Sequence, residues 1–489
     1  MEPDGAVPVA NHAPEQADAR AAWAGAQHAR GRLTAHERVA LLLDAGSATG
    51  LGPDRGGDCG REDDGVVTMR GSVGGRPVCV FAKDMSVEQG TLGEAHARQI
   101  CRLQELAIQS RAPIIGIFDS AGMRLEAGMA AVAGYGAIVR NSAAARGLVP
   151  QIALIVGGCT GADALLAPLS DFVFMANDDS FLFVSGPEVV KDVTHEELSA
   201  ENLGGPGVHA ATSSLADGTF DNDVEAIQQV RRLLAFLPSH SHAGVPAWEC
   251  FDDADREGVA LDTLVPDAET AGYNVKELIG QVSDEGDFFE LHAAFAPNIV
   301  TALARIEGRT VGIVANQSAV LAGVLDADAA SKAARFVCFC DAFAIPVVTF
   351  VDAPGFLPGI AQEHGGVARQ AAGLLLAYAR ATVPLVTVVL RRAYGAAGGA
   401  MGSRSLGADR VYAWPGAKVG LLNASGAAAR RGVSGDAAFE RNYEEQVLST
   451  SAVARSGAVD AVIVPRRTRL HVAQALRLLT EKPRCSPRS

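Results

Sequence analysis

The sequence is short of most features that announce a function. Aromatic residues make up 6% of its 489 positions and charged residues 20%. No apolar run reaches the ~18 residues a membrane span needs; those near 113–118, 152–156 and 385–390 are strand-length, so no membrane partner is expected. Residues 1–30 are Ala-rich and carry acids with no apolar stretch before a cleavage site, so no secretory signal is read and a cytoplasmic location is expected. The net charge of −14 argues against a nucleic-acid surface, which needs a basic face, while leaving room for a local Arg/Lys patch facing a phosphorylated ligand. The eight cysteines are scattered; Cys338 and Cys340 form a CxC but no CxxC exists, so buried reduced thiols are expected and no metal site. "GAAGGAMG" (395–402) lacks the spacing of a dinucleotide fingerprint and has no acid about twenty positions on. There is no GK[ST], hence no P-loop, and no His–Asp or Cys–His constellation stands out.

What remains is a chain of 489 residues, long enough for roughly two to four domains, 48% hydrophobic, as a protein with a real core is. Thr34 and Glu37 form a capping box ahead of Val39, Leu42 and Leu43, which marks a helix start. The stretch 64–84 predicts a hairpin turning at Gly74-Gly75. A helical period follows over 93–110, then a continuous apolar strand over 113–119 of the kind buried on both faces. Helix and strand then alternate, which predicts an α/β fold.

The chain repeats itself. "APIIGIFDSAG" (112–122) resembles "IPVVTFVDAPG" (345–355), aligning Pro113, Asp119 and Gly122 with Pro346, Asp352 and Gly355. "VPQIALIVGGCTGA" (149–162) resembles "VPLVTVVLRRAYGA" (383–396), aligning Pro150, Gly161 and Ala162 with Pro384, Gly395 and Ala396. Two homologous domains in tandem are inferred, 28–243 and 271–480. They are joined by a linker over 244–270 within a polar, turn-rich stretch, with a flexible segment 1–27 and a tail 481–489.

Each repeat ends a buried strand in a turn almost bare of side chains. Such a turn lets backbone approach a ligand, and a helix starting there aims unsatisfied N–H groups outward. Two N–H groups on one oxygen make an oxyanion hole. Gly161 with Ala162, and Ala396 with Ala397, are the candidate donors. Asp119 and Asp352 are expected to cap the turns that follow their strands. Glu94 and Glu126 read as surface or capping groups. His364 is placed beside the second turn without a chemical role. Arg391 and Arg392 are open between ligand anions and a structural role.

These residues lie in motifs that resemble the carboxyltransferase (β) subunits of biotin-dependent acyl-CoA carboxylases, of the propionyl-CoA carboxylase β type. The resemblance covers about 28–480 and includes "RGRLTAHERVALLLDAGS", "DSAGMRLEAG", "SGPEVVKDVTHEEL", "LDADAASKAARFVCFCDAFAIPVVTFVDAPGFLPG", "AYGAAGGAM" and "LGADRVYAWP". It implies two crotonase-like (ClpP/crotonase) domains, the first binding an acyl-CoA and the second carboxybiotin on a separate carrier chain. It implies a partner α subunit carrying biotin carboxylase and biotin, because this chain has no Met-Lys-Met site and no recognisable ATP signature. It also implies a homo-hexamer with each active site between the first domain of one subunit and the second of its neighbour. The first hole would hold an enolate oxygen and the second a ureido oxyanion, with Gly122, Cys159, Gly355, Phe356, Tyr394, Gly395, Gly398 and Gly399 around the substrates.

Both turns depart from the family pattern. Where the family has CAGGA, this chain has Cys159-Thr160-Gly161-Ala162-Asp163; where it has AYGGAYD, this chain ends in Gly398-Gly399. The lost side-chain volume suits a longer or branched acyl group. Asp163 would oppose an enolate unless it points away or is paired. Met123 and Leu125 also differ from the usual Ala and Ile. A decarboxylase or transcarboxylase of malonyl-type CoA, and a non-catalytic assembly subunit, are the alternatives.

Overall fold

The computed structural model describes residues 22–51, 64–177, 179–253 and 255–482. Backbone packing divides the chain into two compact units, one holding most residues up to Arg231, the other Gly147–Pro150, His209–Gly218 and everything from Arg232. The division falls within the helix Asp223–Phe236. The polar stretch expected as a linker is tied to the second unit, with Trp248 N–H on Gly308 O at 2.8 Å and Gly258 N–H on Arg466 O at 2.9 Å. Residues 22–28 are helical; 1–21 and 483–489 lie outside the described residues.

The first unit is built on strands β1 (Thr49–Gly50), β2 (Val66–Val73), β3 (Arg76–Lys83), β4 (Ile114–Ser120), β5 (Gln151–Thr160), β6 (Phe172–Ala176), β7 (Phe181–Phe183) and β8 (Gly218–Phe220). The second has β9 (Phe288–Leu291), β10 (Ile299–Ile306), β11 (Arg309–Asn316), β12 (Val347–Ala353), β13 (Leu385–Tyr394), β14 (Arg410–Ala413), β15 (Lys418–Gly420) and β16 (Ala461–Val462). The two sheets have one topology. The first runs β1-β2-β3-β4-β5-β6-β8 with β7 also on β5; the second runs β9-β10-β11-β12-β13-β14-β16 with β15 also on β13. An antiparallel hairpin opens each sheet, and parallel pairs then follow from β3 through β6 and from β11 through β14. The internal repeat is therefore a structural repeat, strand for strand.

The local signals hold. Thr34 caps Ala35–Leu42, and Glu37 accepts from the Thr34 N–H at 2.8 Å. The β2–β3 hairpin turns at Gly74-Gly75. The helix Glu94–Ser110 buries His96, Ala97, Ile100, Leu103, Gln104 and Ala107, one stripe at helical spacing. It packs against Met129–Ala145, as Ala327–Ala342 packs against Val367–Arg380. Every residue of β4 and of β12 is buried, which is why both read as unbroken apolar runs. The six described cysteines are free thiols, Cys340 buried and Cys338 exposed.

Lys332 is the unusual core residue. Its ammonium is buried in the second unit and donates to the carbonyls of His292, Phe295 and Ile299 at 2.8 Å and of Ala296 at 3.3 Å. Burial pulls its pKa from 10.5 down to about 7. The folded value lies below the unfolded one. Between about 7 and 10.5 the unfolded chain therefore keeps a proton that the folded chain has shed, and this group adds stability as pH rises through that window. Lys332→Met should strand the carbonyls and cost at least about 2 kcal/mol. The mutant's melting temperature should also lack the wild-type rise across that pH range; a mutant with unchanged stability and pH slope would contradict this account.

Candidate active site

Each sheet carries one aspartate at the carboxyl end of its central strand, and each is enclosed by two arginines. Asp119, on β4, takes Arg38 at 2.9 Å and Arg32 at 3.5 Å. Asp352, on β12, takes Arg391 at 2.9 Å and Arg392 at 2.7 Å. The expectation that these aspartates cap turns is corrected: with fully paired, buried carboxylates they anchor ion pairs. Arg391 and Arg392 are likewise structural. Arg391 also donates to Ala268 O and Ala271 O, and Arg392 to Glu269 O and Ala322 O, so neither is spare for a ligand anion.

The repeat explains where the cations come from. Arg391 aligns with Gly157 and Arg392 with Gly158. A Cβ on Gly157 would lie 2.0 Å from Asp119 Oδ1 and 2.6 Å from the Arg32 guanidinium. The first unit thus leaves its own strand bare and fills the space with arginines from the helix entry near residue 35. The second unit carries the cations on the strand itself.

Beside each aspartate the two central strands slip in register, between Phe118 and Ser120 and between Val351 and Ala353. Past the slip, β5 and β13 end in matching turns, with Gly161 at φ +59° and Gly395 at φ +57°, a left-handed backbone that glycine adopts freely. A short helix, Asp163–Leu166, follows Gly161, and another, Gly395–Ala400, begins at Gly395 itself.

The candidate residues fall into two groups. In the first unit Gly122, Cys159, Gly161 and Ala162 come together at the ends of β4 and β5. A Cβ on Gly122 would sit 3.0 Å from Thr160 O. The Gly161 N–H donates to Phe183 O at 3.1 Å, so it is not a free donor as expected; Ala162 has no backbone partner for its N–H among the described residues. Cys159 is fully buried, and burial, with the Asp163 carboxylate adding to it, pushes its thiol pKa well up, so it packs and does not attack. In the second unit Gly355 and Phe356 leave β12, where Phe356 bridges to Leu325, while Tyr394 through Gly399 close β13. Ala396 and Ala397 lie in the first turn of their helix, where N–H groups have no intrahelical acceptor. Gly398 and Gly399 differ in kind. A Cβ on Gly398 would run into the Ala393 backbone at 2.4 Å, whereas nothing lies within 4 Å of one on Gly399. Only Gly399 leaves volume open. His364 ends the short helix Ile360–His364 on the surface.

A cavity of about 640 Å³ opens in the first unit at the ends of β4 and β5, lined among others by Arg30, Arg32, Ser120, Thr160 and Phe181. Of these five only Thr160 was named from the sequence, as part of the altered turn. Arg30 and Arg32 stand in the motif before the capping box, and their role depends on folding back over a strand some ninety residues on. Nor was the partner of Asp163 foreseen. Lys83 Nζ meets its two carboxylate oxygens at 2.8 and 2.9 Å, both side chains fully buried. A lysine closing an apolar strand was the available signal.

The carboxyl transferase domain family matches residues 26–489. The chain is 49% identical to the propionyl-CoA carboxylase beta chain of Roseobacter denitrificans, covering 94% of this chain and 92% of that one. It is 43% identical to the methylmalonyl-CoA decarboxylase subunit alpha of Veillonella parvula, over 93% and 92%. Its fold superimposes on transcarboxylase 12S, crystallised as a hexamer with hydrolysed methylmalonyl-coenzyme A bound, with a TM-score of 0.93 at 38% identity, covering 98% of this chain and 96% of that one. The architecture is accordingly two crotonase-like domains in tandem.

Asp352→Asn should leave two buried guanidiniums sharing a neutral partner and lower stability by about 3–5 kcal/mol in a urea titration. A loss below about 1 kcal/mol would show that the cluster holds little.

Proposed function

We propose that this chain, which belongs to the carboxyl transferase domain family, uses its two bare turns to move a carboxyl group from carboxybiotin to the α-carbon of an acyl-CoA. The chain is a carboxyltransferase of the propionyl-CoA carboxylase type, a biotin-dependent enzyme acting on CoA thioesters. The finer reading concerns residues. The observation that supports it most is the duplication of one device: a left-handed glycine after the second central strand, then a helix start, once in each unit.

In the first unit the acyl-CoA occupies the cavity beside Thr160 and Ser120, with Arg30 available to its phosphates. The ureido nitrogen freed when carboxybiotin gives up CO₂ would take the α-proton, which places charge on the thioester oxygen, and the Ala162 N–H would receive it. Gly161 contributes the bend, not a hydrogen bond. In the second unit carboxybiotin on the α partner supplies the carboxyl group. The residues there fit a ureido ring: the Ala396 and Ala397 N–H groups are free of helical partners, and the buried Tyr394 hydroxyl has no hydrogen-bond partner among the described residues. Gly122 and Gly355 begin the walls of the two sites, with Cys159 packed beneath the first, and Phe356 flanks the second. In a hexamer whose sites join the first domain of one subunit to the second domain of its neighbour, the unfilled space at Gly399 of that neighbour suits an acyl chain longer than acetyl or branched. The chain works as a hexamer with a biotin-carrying α subunit, in the cytoplasm. Among the described residues no helix is long and apolar enough to cross a membrane.

The deciding assay combines the purified chain with a biotinylated α subunit, bicarbonate, ATP and a panel of acyl-CoAs. ATP-dependent carboxylation is expected; CO₂ release from methylmalonyl-CoA alone would make it a decarboxylase, and no turnover would make it an assembly subunit. Ala162 has φ −64°, the value proline imposes, so Ala162→Pro deletes one N–H without forcing that residue's backbone. It should lower kcat about 10²–10³-fold at nearly unchanged melting temperature; wild-type turnover would remove Ala162 from the hole. Gly399→Asp should shift kcat/KM toward shorter acyl-CoAs by about tenfold or more. An unchanged chain-length profile would show that this space is not the acyl pocket.

A further inference from the structure

Asp163 is the one buried feature of the first turn that works against an oxyanion. It is the first residue of the helix that Ala162 caps, and its carboxylate is fully buried. Lys83, the last residue of β3, reaches it from two strands away and bonds both its oxygens, at 2.9 and 2.8 Å. The internal repeat supplies a control within the same molecule. Lys83 aligns with Asn316, the last residue of β11, and Asp163 aligns with Ala397. The second unit thus holds the same two positions with a neutral pair, its Asn316 amide donating to Gly323 O at 3.0 Å. One architecture stands on a charged pair in one unit and on none in the other.

The charges reach their surroundings. Asp163 contributes to the raised pKa of the Cys159 thiol, which Lys83 opposes, and Lys83 helps burial hold His96 neutral. An unbalanced charge here would act on the neighbouring amide through a medium of low dielectric. A buried ion pair is weak evidence for stability, since a neutral pair of similar shape often serves as well.

We propose that Lys83 is a positioning residue for the first amide turn: its ammonium cancels the Asp163 carboxylate and pins the helix start, so that the Ala162 N–H meets a developing enolate oxygen. This rests on the assignment of Ala162 made above. Its consequence is an asymmetry of sign. Losing the cation leaves an anion beside the site of negative charge; losing the anion leaves a cation there. A purely structural pair would show no such preference, because each single change strands one buried group.

The test uses the full chain with methylmalonyl-CoA as carboxyl donor and free biotin as acceptor. In this direction the C–COO bond breaks, CO₂ passes to the biotin ring nitrogen, and the enolate takes up the proton that nitrogen gives up, leaving propionyl-CoA. The variants are Lys83→Gln, Asp163→Asn and the double change Lys83→Gln/Asp163→Ala, which imitates the neutral pair of the second unit. Lys83→Gln should lower kcat about 10²–10³-fold, the scale of a lost oxyanion donor. Its KM should move by less than about threefold, because the loss is confined to the transition state. Asp163→Asn should lose less than about tenfold, and the double variant should regain most of what Lys83→Gln lost. Melting temperatures separate misfolding from mispositioning. The proposal is overturned if the two single variants lose kcat equally and in step with their melting temperatures, or if Lys83→Gln keeps the wild-type rate. A wild-type chain that turns over no acyl-CoA here or with an α subunit overturns the assignment of Ala162, and this one with it. An active wild type whose Ala162→Pro variant fails while Lys83→Gln does not overturns this one alone.

Discussion

A carboxylate buried at the end of a central strand is the constraint around which each unit is arranged. Uncompensated, such a charge would cost several kcal/mol. Asp119 and Asp352 are each closed off by two guanidiniums, and meeting that need recruits distant chain. In the first unit Arg38 also binds Asp223, so one ion cluster ties the entry helix, the central strand and the last helix of that unit together. In the second unit Arg391 and Arg392 pull residues 268–271 onto β13. The register slip and the bare turn sit immediately beyond these clusters, so the turn rests on a rigid base.

Duplication then allows division of labour. The two sheets share strand order, hairpin, slip and left-handed glycine, while the side chains around the turns have diverged. The first unit opens a cavity lined in part by Arg30, Arg32, Ser120 and Thr160; the second has the first-turn amides of Ala396 and Ala397, a buried tyrosine hydroxyl and an unfilled space at Gly399. In the proposed carboxyl transfer the same electrostatic problem arises twice, on a thioester oxygen and on a ureido oxygen, and one backbone device would answer both. With main-chain N–H groups as the proposed donors, side chains near them can vary without removing the chemistry, provided the charges they bring are balanced. That explains how a turn carrying Asp163 can remain serviceable.

Much was legible in the residues. The Thr34–Glu37 capping box, the Gly74-Gly75 hairpin and the helix over 94–110 rest on local rules and appear where those rules put them. The two-unit organisation was legible because a repeated pattern of Pro, Asp and Gly needs no structure to be seen. The place of the bare turns followed from composition, since so many glycines and alanines after a buried strand have few other uses. What escaped was pairing over distance. The aspartates looked like turn caps because their partners, Arg32 and Arg38 in one unit, stand more than eighty residues away. Gly161 looked like a donor because nothing in its neighbourhood shows that Phe183 will take its N–H.

The sequence by itself determined the fold class, the duplication and the positions of the two turns, because hydrophobic periodicity, capping and glycine geometry act between near neighbours. Only the tertiary structure decided which amides stay free, which arginines are spent on structure, and how Asp163 is neutralised. Those outcomes depend on charges and acceptors brought together from separate strands, where burial makes an unpaired group too costly to keep and so selects one partner among many.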